Sequence, residues 1–423
     1  MKYLIENATI VDPNSEFNGK KKSILVENGI IKKIGTIKKE RGMKQIQHPN
    51  LHLSPGWFDM QASFGEPGFE NKEDLISGRN AAAQGGFTGV CLMPTSHPAP
   101  DSKSKIEYFS AQQKGNFLVE VYPAACLTIG SEGKEITEQF DLIRSGAVAF
   151  SDYKNPVENS GLMLRLLQYA NSSGALIIAH CEELSLSAGG LMHEGEVSTA
   201  LGLKGLPSIS EEINLARNIS LLEYSQSRLH ISSISSGESV NLIKNAKSKG
   251  VRISSGVAAH QLLLTDEELM GFDSYFKVTP PLRNRKERDA LKRGVAQNVI
   301  DVITSDHCPE PAENKEVEFD QAVFGMIGLE TAYAVANTAL FGAVTQSQLL
   351  EKLVQNPRQI LGLNIPQINE GSQANLTLFD PSLKWNFEKK HLSSRSSNTP
   401  FLGRPLIGKP LGVFNHQQYF ECC

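Results

Sequence analysis

No long apolar run, no excess of one charge, no paired cysteines and no internal repeat marks this 423-residue chain. Each absence excludes something. No stretch approaches the roughly 20 apolar residues of a membrane-spanning helix. The opening MKYLIENATIVD has no basic region followed by an apolar run, so no secretory signal is expected. A net charge of -4 and a pI near 6.2 give no electrostatic case for nucleic acid or an anionic membrane. The cysteines (Cys91, Cys126, Cys181, Cys308, Cys422 and Cys423) form no CxxC pair or zinc-ribbon spacing, which suits reduced thiols. The tail pair Cys422–Cys423 is no prenylation signal, because such a cysteine sits four from the end. The expectation is a soluble, cytoplasmic protein. Apart from the Ser/Asn-rich stretch Ser393–Asn398 there is no low-complexity linker.

What is present is strand and helix in alternation. Tyr3-Leu4-Ile5, Ser23–Val26 and Ile30–Ile34 are β-branched runs punctuated by Asn, Gly and Pro, and the texture returns at Ala374–Asp380 and Pro410–Phe414. Chain termini often lie close together, so the two pieces are expected to form one composite β-domain, residues 1–54 with 365–423. Between them, over 55–364, lie eight strand candidates: Gly56–Met60, Thr88–Met93, Glu120–Ala124, Ala147–Ser151, Leu176–His180, Arg228–Ile231, Arg252–Ser254 and Asp301–Thr304. Helical patterns such as Lys72–Gln84, Gly161–Ser172, Ser208–Gln226 and Glu238–Lys249 fall between most of them. The predicted class is α/β: a (β/α)8 barrel of the TIM type with a small β-sandwich domain built from both termini. Chemistry in such a barrel sits at the C-terminal strand ends.

Pro55-Gly56-Trp57-Phe58-Asp59-Met60 resembles the amidohydrolase superfamily, and specifically the longer-chain dihydroorotases. Supporting stretches are Glu66-Pro67-Gly68, Lys72-Glu73-Asp74, Gly85-Gly86-Phe87-Thr88, Gly146–Asp152, Asn159–Met163, His180-Cys181-Glu182, Pro280–Arg283, Ser305-Asp306-His307 and Gly328–Thr331. Their order and spacing cover nearly the whole chain. The resemblance implies reversible ring-opening of dihydroorotate, a cyclic amide, in pyrimidine biosynthesis. An unactivated amide resists water at neutral pH, so the family's zinc must polarise the carbonyl and lower the pKa of a bound water. His and carboxylate ligands converge on it from several strand ends, and an Asp after strand 8 moves the proton.

Carried over position by position, most of that set is replaced. The His-x-His pair after strand 1 falls on Gln61 and Ser63, the bridging carboxylate after strand 4 on Tyr153 beside Asp152, and the His after strand 6 on Ser233. His180 and Asp306 remain as a remnant metal pair, with Asp306 at the family's catalytic position. The substrate positions are replaced as well. Gly65 stands where an Arg clamps the substrate carboxylate, Thr95 and Thr279 where Asn residues bind it, and Glu310, whose charge would repel that carboxylate, where a His stands. No bound zinc is expected.

Related hydantoinases and dihydropyrimidinases bridge two metals with a carboxylated lysine after a tyrosine, and Tyr153-Lys154-Asn155 resembles that. Strand alternation sends Lys154 to the side opposite residue 153 unless the loop bends, so it is expected as a solvated surface lysine. Asp306 is expected as a carboxylate held by neighbouring donors such as His307, and His230 and His260 as packing or surface residues. Cys308 beside Asp306-His307 lacks an aligned base and is not expected as a nucleophile. The leading functional expectation is a catalytically inactive dihydroorotase-like homodimer. Some non-catalytic dihydroorotase-like chains scaffold aspartate carbamoyltransferase, and the resemblance implies that partner. The alternatives are an active cyclic-amide hydrolase (dihydroorotase or hydantoinase-like) with an altered metal site, and a non-catalytic small-molecule binder using an emptied barrel mouth.

Overall fold

The computed structural model describes residues 1–112 and 115–423. Eight parallel strands, each hydrogen-bonded to the next in chain order, form the central sheet. They are β1 (Trp57–Ala62), β2 (Phe87–Leu92), β3 (Glu120–Cys126), β4 (Ala149–Ser151), β5 (Ile177–Ala179), β6 (Leu229–Ile231), β7 (Ile253–Ala258) and β8 (Val302–Thr304). The sheet closes on itself where Ala62 bridges His307 in parallel and the Ser63 N–H donates to the His307 carbonyl at 2.8 Å. Asp59 reinforces that seam, accepting from the Ser305 N–H at 2.8 Å and its hydroxyl at 2.6 Å. Every residue of β1 and β2 is buried, as strands covered on both faces must be.

Several stretches that carry the family resemblance are helix starts. Asp74 caps α1 (Leu75–Gln84) by accepting from the backbone of Ile76 and Ser77, and Ser77 completes a capping box. Asn159 caps α2 (Ser160–Ser173) through the Leu162 N–H. Two further barrel helices are α3 (Ser208–Ser225) and α4 (Gly237–Ser248), the latter capped by Ser236. At Gly86 the backbone has φ +90° and an added Cβ would lie 2.6 Å from the Trp57 ring, so glycine there is both a conformational and a packing requirement.

Both termini contribute to the small domain, which is one mixed sheet. Its order runs Gln418–Glu421, Pro405–Asn415, Leu376–Asn386, His52–Pro55, Lys2–Ile10, Lys21–Glu27 and Ile30–Gly35, with Lys44–Ile46 also pairing to Lys2–Ile10. Trp57, fully buried, couples sheet to barrel. Its indole N–H donates to Ser54 at 2.9 Å, and its ring meets those of Tyr333 and Phe379 at 4.3 and 5.5 Å. All six cysteines are free thiols. Among the described residues, no helix is long and apolar enough to cross a membrane.

Candidate functional site

The C-terminal strand ends converge on a barrel mouth occupied by a connected polar network. Ser233, beyond β6, donates to Gln61 Oε1 at 3.2 Å, and Gln61 Nε2, at the end of β1, donates to Asp306 Oδ1 at 2.7 Å. The other oxygen of Asp306 is 3.0 Å from Lys154 Nζ. This is a partly buried ion pair, with side-chain exposures of 14% for Lys154 and 2% for Asp306.

The surface position expected for Lys154 is therefore corrected. Tyr153 has φ +57°, a left-handed conformation that a bulky residue rarely takes, and the bend ends strand alternation one residue before Lys154. The Lys154 ammonium then lies 5.2 Å from the Tyr153 ring centroid as well as against Asp306. Asp306 is held by Gln61 and Lys154 and not by His307. His307 Nδ1 accepts from the Gly328 and Leu329 N–H groups, leaving Nε2 to donate to Glu73 at 3.3 Å.

The other sequence-predicted positions divide between the network and its surroundings. His180 bonds Glu182 at 3.1 Å. Burial pushes the Glu182 carboxyl up, but the hydrogen bonds and charge it meets, led by the bond from His180, bring it below the ordinary value. Asp152 points away from Asp306, accepting from the Leu127 and Thr128 N–H groups and the Thr128 hydroxyl at 2.5–2.9 Å. The Tyr153 phenol is buried against the Ser63 hydroxyl and the Cys308 thiol, and His260 Nε2 is buried without a hydrogen-bond partner among the described residues. Both Asp306 and Lys154 act electrostatically on His260, whose pKa burial lowers to about 4. That places a neutral imidazole by the network. His230 is buried deeper in the barrel, 2.9 Å from the Ser254 hydroxyl, with its pKa lowered to about 3 by burial. Burial raises the Cys308 thiol, which is the opposite of what a thiolate nucleophile needs.

The substrate-clamp positions are built differently from the family pattern too. A Cβ on Gly65 would sit 2.0 Å from the Phe69 carbonyl oxygen, so no arginine fits this loop as it stands. Glu310 is not a free repelling charge: Lys72 neutralises it at 2.7 Å and Asn314 donates to it at 2.8 Å. The Thr95 hydroxyl faces the Phe64 and Met93 carbonyls at 3.4 and 3.5 Å, and Thr279 precedes a cis proline.

The donor set does not fit zinc. Zinc sites use at least three thiolate, imidazole or carboxylate ligands, and the described residues contain no group of three or more His, Cys, Asp or Glu placed to hold a metal. At the mouth, an amide, hydroxyls and a phenol surround a carboxylate already paired with an ammonium. Glu182 and Glu73 are the neighbours that sequence reasoning missed, and Lys154 is one it weighed but placed at the surface. The one available signal was Lys154 next to a displaced bridging position.

Solved structures with the same architecture include an L-hydantoinase (dihydropyrimidinase) from Arthrobacter aurescens. It is 21% identical, with a TM-score of 0.82 over 99% of this chain and 95% of its own. The dihydropyrimidinase from Brevibacillus agri gives 0.82 at 20% identity over the same shares. The fold is thus hydantoinase-like, an eight-stranded parallel barrel joined to a mixed sheet from both termini. A dihydro-orotase-like family profile matches residues 51–239. Proteins named dihydroorotase from Pelotomaculum thermopropionicum and Syntrophus aciditrophicus are 43% and 40% identical, each over 97% of this chain and 96% of the relative. The chain belongs to the dihydroorotase family, which acts in pyrimidine biosynthesis and is typically zinc-dependent.

Proposed function

We propose that this chain is a non-catalytic dihydroorotase-family protein that serves, as a homodimer, as a structural or regulatory partner of aspartate carbamoyltransferase. The observation that carries the first half is the Lys154–Asp306 pair. An Asp at the family's catalytic position, with both oxygens engaged by Gln61 and an ammonium, is not free to move a proton. Gln61, Ser63, Tyr153 and Ser233 stand at the four lost ligand positions, and His180 and Asp306 are left as the remnant. The partner half rests on resemblance to non-catalytic dihydroorotase-like scaffolds.

Two other readings each have one observation in their favour. Identity of about 40% to proteins named dihydroorotase over almost the whole chain favours an active hydrolase with an altered site, although fold-wide likeness does not carry chemistry. The buried His260 Nε2, without a hydrogen-bond partner among the described residues, favours a small-molecule binder, because such an atom is costly unpaired.

The test is to mix the purified chain with the aspartate carbamoyltransferase of the same cell at micromolar concentration, then fractionate by size. Co-elution is expected, with carbamoyltransferase activity decaying several-fold faster once this chain is removed. Separate elution with unchanged decay would reject the partner role.

A further inference from the structure

Three features compete as carriers of something more. Lys315, fully buried, is held by the carbonyls of Val323, Gly325 and Lys277 at 2.8, 3.1 and 3.4 Å, but all its donors face backbone and it only ties these loops together. Arg283, also buried, spends its donors on Ser235, His193 and the Leu206 carbonyl beside the Glu211 cluster. The mouth differs from both, because there a half-buried cation meets a buried anion in a family that ordinarily puts metal there.

Isolating Asp306, at 2% exposure, as a bare carboxylate would be strongly unfavourable, so a positive charge must accompany it. Among the described residues, Lys154 is the single cation within ion-pair distance. His260, an imidazole on which both members of the pair act, is kept neutral by burial. Gln61 adds an amide donor but no charge. Lys154 reaches the carboxylate only because Tyr153 adopts φ +57°. The backbone at the displaced bridging position therefore delivers an ammonium.

We propose that Lys154 is the resident cation of this barrel mouth, its ammonium replacing metal charge as the counter-ion of Asp306. The proposal deepens the non-catalytic reading and rests on its metal-free mouth. It also assigns the chemical form of Lys154. A lysine carbamate would carry negative charge next to Asp306 with no metal between them, so the free ammonium is the form that fits.

The test uses full-length protein: wild type, Lys154→Met, Asp306→Asn and the double variant, melted with and without chelator or added zinc. Wild type is expected to melt within about 1 °C under all three conditions, and Lys154→Met to melt at least about 5 °C lower, because it leaves a buried charge alone. Adding Asp306→Asn should recover at least about half of that loss, the signature of direct coupling. If Lys154→Met does not fold, a soluble double variant supports the pairing equally; failure of both overturns it. Lys154→Met melting with wild type, or wild type losing stability in chelator, also overturns it. Dihydroorotate hydrolysis that survives chelation would reject the non-catalytic reading while leaving Lys154 as counter-ion. A melt unaffected by Lys154→Met would do the reverse.

Discussion

A chain carrying Gln61→His, Ser63→His, Tyr153→Asp, Lys154→Gly and Ser233→His together is expected to bind zinc at about one equivalent or more, where the parent binds almost none. The strand ends that would present these ligands are already in place, and His180 and Asp306 already occupy their positions. Two of the changes also relieve local costs. Aspartate tolerates the left-handed backbone at position 153 better than tyrosine does. Removing Lys154 takes away the cation that competes for Asp306. Zinc per chain, measured by elemental analysis after extensive dialysis, decides the matter. Turnover is not expected to return with the metal, because Gly65, Thr95, Thr279 and Glu310 still leave the substrate carboxylate without its clamp. A folded quintuple variant that stays free of zinc would show that these positions are not the lost ligands.

Glu73→Ala is expected to be among the most damaging single substitutions, costing about 3–5 kcal/mol of stability. Glu73 is completely buried and accepts from four directions: the hydroxyls of Ser77 and Ser394, the Arg395 N–H at 3.0 Å and His307 at 3.3 Å. It thereby fastens the start of α1, the loop after β8 and the C-terminal segment to one another. Alanine would remove the acceptor these donors share, most severely for the fully buried His307. Glu73→Gln, which keeps the shape and one carbonyl acceptor, should lose clearly less. Urea unfolding of the three proteins measures this, and an alanine variant within about 1 kcal/mol of wild type would show that water replaces the carboxylate without cost.

Much of the fold was legible because its signals are local. Each of the eight predicted barrel strands overlaps an observed one, and Ser208–Gln226 and Glu238–Lys249 fall within a residue of the observed helices. Apolar runs, caps and glycines act over a few residues, and a sequence displays them directly. The barrel mouth is written differently. Its pairs join residues far apart in the chain, Gln61 and Lys154 with Asp306, Glu73 with His307, Lys72 with Glu310, and no local pattern announces them. Ligand positions could be placed by spacing, but what replaced the ligands' interactions could not. Lys154 is the sharpest case: alternation sends it outward, and one left-handed residue sends it in. Gly65 is a quieter one. Sequence shows only a missing arginine, whereas the structure shows a loop closed too tightly for any side chain.

The most direct measurement is zinc content of protein purified without chelators, with dihydroorotate hydrolysis assayed on the same sample. A mouth built on the Lys154–Asp306 pair predicts zinc well below one equivalent and no turnover above the uncatalysed rate. One or more equivalents of zinc with chelator-sensitive turnover would contradict it, and would require Gln61, Ser63, Tyr153 and Ser233 to leave the arrangement described here.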